Sequence, residues 1–88
     1  MPGGWNYQAY LTPYDAYIFY RAMNSEDNYF YIPLAVATQV VNGTNYRFLA
    51  IAEPKDTNGT PFFSLIEIYK PLNGEAQITN ITAIDQYL

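Results

Sequence analysis

The sequence contains no cysteine and no histidine. Cysteine supplies disulfides and thiol nucleophiles, histidine carries most proton transfer near neutral pH, and both are the usual ligands of zinc. The adjacent carboxylates Glu26 and Asp27 are interpreted as part of a solvated loop, because nothing around them in the sequence shifts a pKa. We therefore expect no enzyme, no catalytic residue, no metal site and no cofactor.

Basic residues are also scarce, with four Lys and Arg against eight Asp and Glu and a net charge of −4. Such a chain repels phosphate backbones, so we expect no nucleic-acid partner. It has no apolar run approaching the roughly 18 residues of a membrane span, and no basic-then-apolar leader. We expect no membrane association. A small fold without disulfides fits a reducing compartment, so the expected location is cytoplasmic.

What the sequence does contain is enough apolar material for one domain, since half of its 88 residues are hydrophobic and 18% are aromatic. Residues 1–6 open with a proline and two glycines and are predicted to form a flexible arm, although Trp5 argues mildly for packing. A helix is predicted over residues 12–24, with Thr12 as N-cap, Pro13 at the first position and Asp15 completing a capping box.

Residues 29–85 are predicted to be strands, in segments 29–41, 44–52, 62–70 and 76–84. Asn-Gly dipeptides at positions 42, 58 and 73 separate these segments, and sequential strands joined by short turns pair antiparallel. The predicted fold class of the single domain 1–88 is therefore α+β, with one N-terminal helix packed on a four- to five-stranded antiparallel meander.

Two details of the predicted first hairpin follow from local rules. Phe30, Ile32, Leu34, Val36 and Val40 share one parity, which places them on one face of a regular strand. The proline at position 33 lacks a donor and is typical of a bulge or an opening in the ladder. The Asn-Gly pair at 42–43 predicts a type I′ turn, in which both residues have positive φ.

The turn after the first of these strands and the turn after the third are expected at the same end of the sheet. Val40, Val41 and Leu72 put apolar side chains at the tips of these turns, where polar residues are normal. Exposed apolar tips indicate a partner surface. The alternative is that Val41 and Leu72 complete the packing of the sheet.

Three segments carry a resemblance to a known family. Residues 39–43 match the pattern Gln-x-Val-x-Gly, and residues 38–41 with 43–46 (Thr-Gln-Val-Val, Gly-Thr-Asn-Tyr) repeat a wording found in stefins. Residues 1–4 (Met-Pro-Gly-Gly) are similar to the stefin amino terminus, and residues 72–74 (Leu-Asn-Gly) stand where stefins carry Leu-Pro-Gly. The chain resembles the cystatin family of cysteine-protease inhibitors, closest to its stefin branch.

This resemblance implies a cystatin-like fold, in which a sheet wraps a helix of four or five turns. It also implies tight, reversible, non-covalent inhibition of papain-like (cathepsin-type) cysteine proteases, in which an N-terminal arm and two hairpin loops fill the active-site cleft. The arm enters the non-primed subsites, the first hairpin covers the catalytic cysteine and histidine, and the second contacts the primed side. The implied protease-binding residues are Met1, Pro2, Gly3, Gly4, Gln39, Val40, Val41, Asn42, Gly43, Pro71, Leu72 and Asn73.

Stefin-like proteins also form domain-swapped dimers by opening the first hairpin. Asparagine tolerates positive φ, so Asn42 is expected to relax this turn and keep the chain monomeric. Residues 71–73 lack the Trp of secreted cystatins, which implies a weaker primed-side contact.

The alternative function is a cystatin-fold binding module without inhibitory activity, for example one that binds glycans through its ten tyrosines. A loop-display scaffold is disfavoured because the loops are family-like.

Overall fold

The computed structural model of the chain describes residues 3–56 and 58–84. Within them one helix packs on a five-stranded antiparallel sheet, which confirms the predicted α+β class and is consistent with a cystatin-like fold. The strands follow one another in the order β1-β2-β3-β4-β5. The elements are β1 (Trp5–Gln8), α1 (Pro13–Ala22), a 3₁₀ helix (Met23–Ser25), β2 (Tyr29–Val41), β3 (Gly43–Pro54), β4 (Phe62–Lys70) and β5 (Gln77–Ala83).

The helix begins where the capping box predicts it. The Thr12 hydroxyl accepts a hydrogen bond from the Asp15 backbone N–H at 3.1 Å, and the Asp15 carboxylate accepts one from the Thr12 N–H at 3.0 Å. Its ten residues make about three turns at 3.6 residues per turn, so the implied four or five turns are too many, although α1 and the 3₁₀ helix together run from Pro13 to Ser25, close to the predicted range 12–24. The chain instead tightens into the 3₁₀ helix Met23–Ser25 before the turn-forming residues that follow. Within the described residues no helix is long and apolar enough to cross a membrane.

The core lies between α1 and one face of the sheet, called here the inner face. Phe19 is fully buried and its ring meets that of Phe48 edge to face, with centroids 4.9 Å apart. Alternation along β3 and β4 supplies the rest of the inner face, as their period-2 pattern predicts. The buried core cluster comprises Ile18, Phe19, Met23, Val36, Tyr46, Phe48, Ala50, Ile66 and Ile68.

A bulge divides β2 and changes which face its even-numbered residues occupy. The register shifts between Pro33 and Ala35, which confirms the prediction of a bulge at the proline. Val36 pairs with Phe48 on the inner face. Ile32 pairs with Ile51 on the opposite, outer face. The prediction that all the even-numbered apolar residues share one face is therefore wrong, because the extra residue of a bulge inverts the alternation.

Residues Trp5–Gln8 form strand β1, which brings the number of strands in the sheet to five. The prediction of a flexible arm over residues 1–6 is therefore wrong for Trp5 and Asn6. Trp5 pairs with Gln39 at the edge of β2, and the Arg47 guanidinium lies 4.3 Å from the centre of the Trp5 ring. This packing agrees with the expectation that a large ring argues against a free arm. Of the predicted arm over 1–6 and the predicted range 29–85, Met1, Pro2, Thr57 and Asp85 lie outside the described residues.

Candidate functional site

The sheet brings three of the predicted segments to one of its ends. Thr44, just after the first turn, pairs with Lys70, just before the turn between β4 and β5. On the other side of β2, Trp5 pairs with Gln39, so the residues before β1 lie beside the first turn. We call this set, residues 3–4, 40–43 and 71–73, the three-segment edge. It contains Gly3, Gly4, Val40, Val41, Asn42, Gly43, Pro71, Leu72 and Asn73.

The first turn differs from the predicted type I′ geometry. Val40 pairs with Thr44 and Val41 with Gly43, which leaves Asn42 at the tip of a three-residue connection. In such connections the last residue takes positive φ, and Gly43 has φ +109°. No non-glycine residue of the described chain has positive φ, Asn42 included. The type I′ prediction is therefore wrong, and so is the reason given for expecting Asn42 to relax the turn.

Gly43 is buried, and its neighbours explain why no side chain fits there. A Cβ atom at this position would lie 2.6 Å from the Lys70 carbonyl oxygen and 2.7 Å from the Tyr69 hydroxyl oxygen. The Tyr69 hydroxyl also donates a hydrogen bond to the Asn42 carbonyl. Tyr69 therefore packs over the glycine and braces the tip. The glycine is required by the chain's own packing, independently of any approach to an enzyme.

The segment before β1 is held against the first hairpin by hydrogen bonds. The Gly3 N–H donates to the Val40 carbonyl at 3.1 Å, and the Gln39 side-chain amide donates to the Gly3 carbonyl at 2.7 Å. Asn45 in turn donates to the Gln39 side-chain oxygen at 2.9 Å. The side chain of Gln39 thus fixes the arm to β2 and β3. Sequence reasoning did not identify Asn45 or Tyr69, since only the strand register reveals their partners.

The second turn is tied to its surroundings at its base. The Lys70 ammonium donates to the Pro71 carbonyl at 2.9 Å, and Gly74 turns the chain with φ +140°. Glu75 forms an exposed ion pair with Arg21 of α1 at 3.2 Å, a type of contact that contributes little to stability. Leu72 projects from this frame and is 70% exposed.

The tips of the edge expose apolar side chains to solvent. Val40 is 58% exposed and Val41 is 42% exposed, beside the more exposed Leu72. The alternative in which Val41 and Leu72 complete the sheet's packing is therefore wrong. These three apolar side chains lie on neighbouring turns whose backbone is held by hydrogen bonds. Covering them with a complementary cleft removes apolar surface from water, which favours binding.

Two tyrosines that are not members of this edge have a displaced pKa. Burial raises the pKa of Tyr46 to about 12, with the Tyr14 and Asp15 charges adding to the effect. Burial likewise raises the pKa of Tyr31, and the Glu26 charge adds to it. Both tyrosines lie on the inner face, beside α1 and the start of β2. Within the described residues, no group of three or more acidic side chains comes together to hold a metal ion.

Searches against family models, curated proteins and solved structures found no match to the chain. The likeness to stefins therefore rests on the sequence of the three segments and on the arrangement that the fold gives them.

Proposed function

We propose that the chain is a reversible, tight-binding inhibitor of papain-like cysteine proteases. The observation that carries the proposal is the three-segment edge, in which the exposed residues Val40, Val41 and Leu72 lie on turns at the same end of the sheet. Each of the three segments is also one that resembles a stefin binding segment. A cytoplasmic site of action belongs to the same proposal.

The edge is suited to fill a cleft because its shape exists before binding. Tyr69 braces the first turn and Gln39 holds Gly3, so these residues have little conformational freedom left to lose on docking. Protease–inhibitor complexes bury roughly 1,600 Å² in total and are among the tightest known. Strong inhibition therefore needs no reactive group on the inhibitor.

In the proposed complex the three segments divide the cleft. Residues 1–4 occupy the non-primed subsites, the first hairpin covers the catalytic cysteine and histidine, and Leu72 contacts the primed side. The tip of the first hairpin presents the valine side chains and the Asn42 amide, with no peptide bond in position for attack, so the enzyme is blocked without cleaving the chain. Without a Trp beside Leu72, the primed-side contact is the smaller one.

The proposal is tested by titrating papain and a cathepsin-type enzyme with the purified chain, with sub-micromolar inhibition as the expected result. Removing residues 1–4 should weaken inhibition, and so should Gly43→Glu. However, a side chain at Gly43 also collides with Tyr69 and Lys70, so a loss in that variant includes a folding effect. Leu72→Asp avoids this because the side chain is exposed, and Tyr17→Asp, 57% exposed on α1, is the matched control. No inhibition at tens of micromolar would contradict the proposal.

A second candidate, glycan binding without protease inhibition, is favoured by the outer side of α1. The exposed rings of Tyr14 and Tyr17 stack with centroids 6.1 Å apart, and Arg21 and Asn24 line a shallow hollow beside Tyr17. Flat rings next to hydrogen-bonding groups suit a sugar. A glycan array with Tyr17→Ala as control tests this candidate. Trp5 fluorescence is not a suitable measure of glycan binding at α1, because Trp5 lies on the opposite side of the sheet from α1.

A further inference from the structure

The outer face of the sheet, opposite α1, is unusually apolar. An antiparallel sheet with one face in water normally places polar residues on that face. Here the register puts aromatic and aliphatic residues next to one another across four strands, as in the row formed by Ile32, Ile51 and Phe63. We call this set the outer patch. It comprises Trp5, Tyr7, Phe30, Ile32, Ala35, Leu49, Ile51, Phe63 and Leu65.

The outer patch exposes enough apolar area to form a protein–protein interface. Its aromatic side chains are 39% (Trp5), 85% (Tyr7), 59% (Phe30) and 40% (Phe63) exposed. At about 200 Å² for each ring-bearing side chain, these fractions amount to roughly 450 Å². With the aliphatic members the patch reaches roughly 600 Å², the upper end for a monomer surface. Two such patches together bury roughly 1,200 Å², the lower bound of specific interfaces.

The charges on this face favour a neutral protein surface as the occupant. Arg47 and Glu67 form an ion pair at 2.8 Å in the middle of the face. At one end Lys55 lies 4.9 Å from the centre of the Phe30 ring, close to Glu53, the partner of Phe30. These four charges sum to zero, so they add no net repulsion between this face and a second copy. An anionic lipid surface or nucleic acid requires an excess of positive charge, and the chain has a net charge of −4.

The outer face carries both a projecting side chain and a hollow. Tyr7 projects from β1, while beside it lies a groove of about 200 Å³ above the small residues Ala35 and Ala37. A two-fold symmetric interface joins the same patch on both copies, so it requires a projection and a hollow on one surface. Facing sheets pack about 10 Å apart with interdigitating side chains, which large rings beside alanines permit.

We propose that two copies of the chain associate through their outer patches into a symmetric face-to-face dimer. Each copy keeps its own helix and β2, so this dimer differs from a domain swap and replaces the expectation of a monomer. The three-segment edge lies at the end of the sheets and stays open to a protease. The dimer is independent of the inhibition proposed above.

Sedimentation equilibrium across a dilution series tests the dimer. We expect a concentration-dependent monomer–dimer equilibrium. Phe63→Glu, which puts a charge in the patch, should raise the dissociation constant at least tenfold. Tyr7→Ser should also weaken association, and because Tyr7 is 85% exposed this variant keeps its fold even where Phe63→Glu does not. Tyr17→Ser, the same change on α1, should leave the equilibrium unchanged.

Three results would overturn the proposal. One is a monomer at every concentration of the dilution series. Another is a dimer that survives both outer-patch variants, the behaviour of a domain swap. The last is a dimer that Tyr17→Ser disrupts as strongly as Tyr7→Ser, which would assign the interface to α1. Circular dichroism of each variant verifies that the fold is retained.

Discussion

Replacing Gly43 by alanine tests whether the first turn is fixed by the chain's own packing. Gly43 combines φ +109° with a backbone carbonyl and a tyrosine hydroxyl that lie within 2.7 Å of the position of a Cβ. The variant therefore faces two separate costs, one conformational and one steric. The Lys70 carbonyl belongs to the paired strand β4, so it yields only if the sheet register is disturbed.

The size of the effect follows from these two costs. Forcing an L-residue into positive φ costs about 1–2 kcal/mol, and overpacking a tight site costs about 1–3 kcal/mol. The free energy of unfolding should therefore fall by about 2–5 kcal/mol in total. A domain of this length has a free energy of unfolding of about 4–13 kcal/mol. Gly43→Ala should thus be markedly unstable.

Urea denaturation followed by far-UV circular dichroism measures the loss. With a slope of roughly 2 kcal/mol per molar, the midpoint should fall by about 1–2.5 M. Gly74→Ala is the matched control, because Gly74 has φ +140° but only the Pro71 ring, at 3.1 Å, near its Cβ position. The control should lose about 1–2 kcal/mol from the conformational term alone. A Gly43→Ala midpoint no lower than that of Gly74→Ala would refute the steric explanation.

Three further predictions address the helix, the arm and the inner face. Thr12→Ala removes half of the capping box and should lower the free energy of unfolding by about 1 kcal/mol in the same denaturation assay. Thr12→Ser keeps a capping hydroxyl and should leave the free energy of unfolding close to that of the unaltered chain. Gln39→Ala releases the Gly3 carbonyl and should increase amide hydrogen exchange across β1, with no change in α1. Above pH 10 the unfolded chain loses its Tyr46 proton before the folded chain does, so stability should decline from pH 10 to about pH 12 and be independent of this group at lower pH. Tyr46→Phe should make that decline smaller, and an unchanged pH profile would contradict the burial of the hydroxyl.

The parts of the fold that were predicted correctly are those determined by neighbouring residues. The capping box needs only Thr12 and Asp15, three positions apart, and the helix starts where they indicate. The period-2 pattern of β4 likewise places Ile66 and Ile68 on the same face of the strand, and the structure buries both. Local hydrogen bonding and alternation decide these features, so the sequence order suffices to read them.

The errors fall where pairing between distant residues decides the outcome. Strand β1 has four residues and forms because β2 offers it an edge, with Trp5 opposite Gln39. The first turn takes its geometry from the register of Val40 and Thr44, which overrides the preference of an Asn-Gly dipeptide. The bulge at Pro33 is predicted from the sequence, but the inversion of faces that it causes along β2 is not. That inversion moves Phe30 and Ile32 to the outer patch.

In the candidate site, too, features set by neighbouring residues were predicted and contacts between distant residues were not. Its apolar tips were predicted from sequence, and the short turns of a meander place them together. The contacts that give the edge its shape were not predicted, because Tyr69 and Asn42 are 27 positions apart in sequence. The contact of Gln39 with a protease stays a prediction, and the bond from its amide to the Gly3 carbonyl, 36 positions away, was not predicted.

The most direct test of protease inhibition compares the inhibition constant for papain of the unaltered chain with that of Leu72→Asp and Val41→Asp. Both side chains are exposed, so the fold should be preserved and the loss should report on contact with the enzyme. Burial of one such side chain is worth about 1.5–3 kcal/mol, so each variant should raise the inhibition constant about 10- to 150-fold. Tyr17→Asp on α1 should leave it unchanged. If papain is not inhibited by the unaltered chain, or if all three variants inhibit as well as it does, the three-segment edge is not a protease-binding surface.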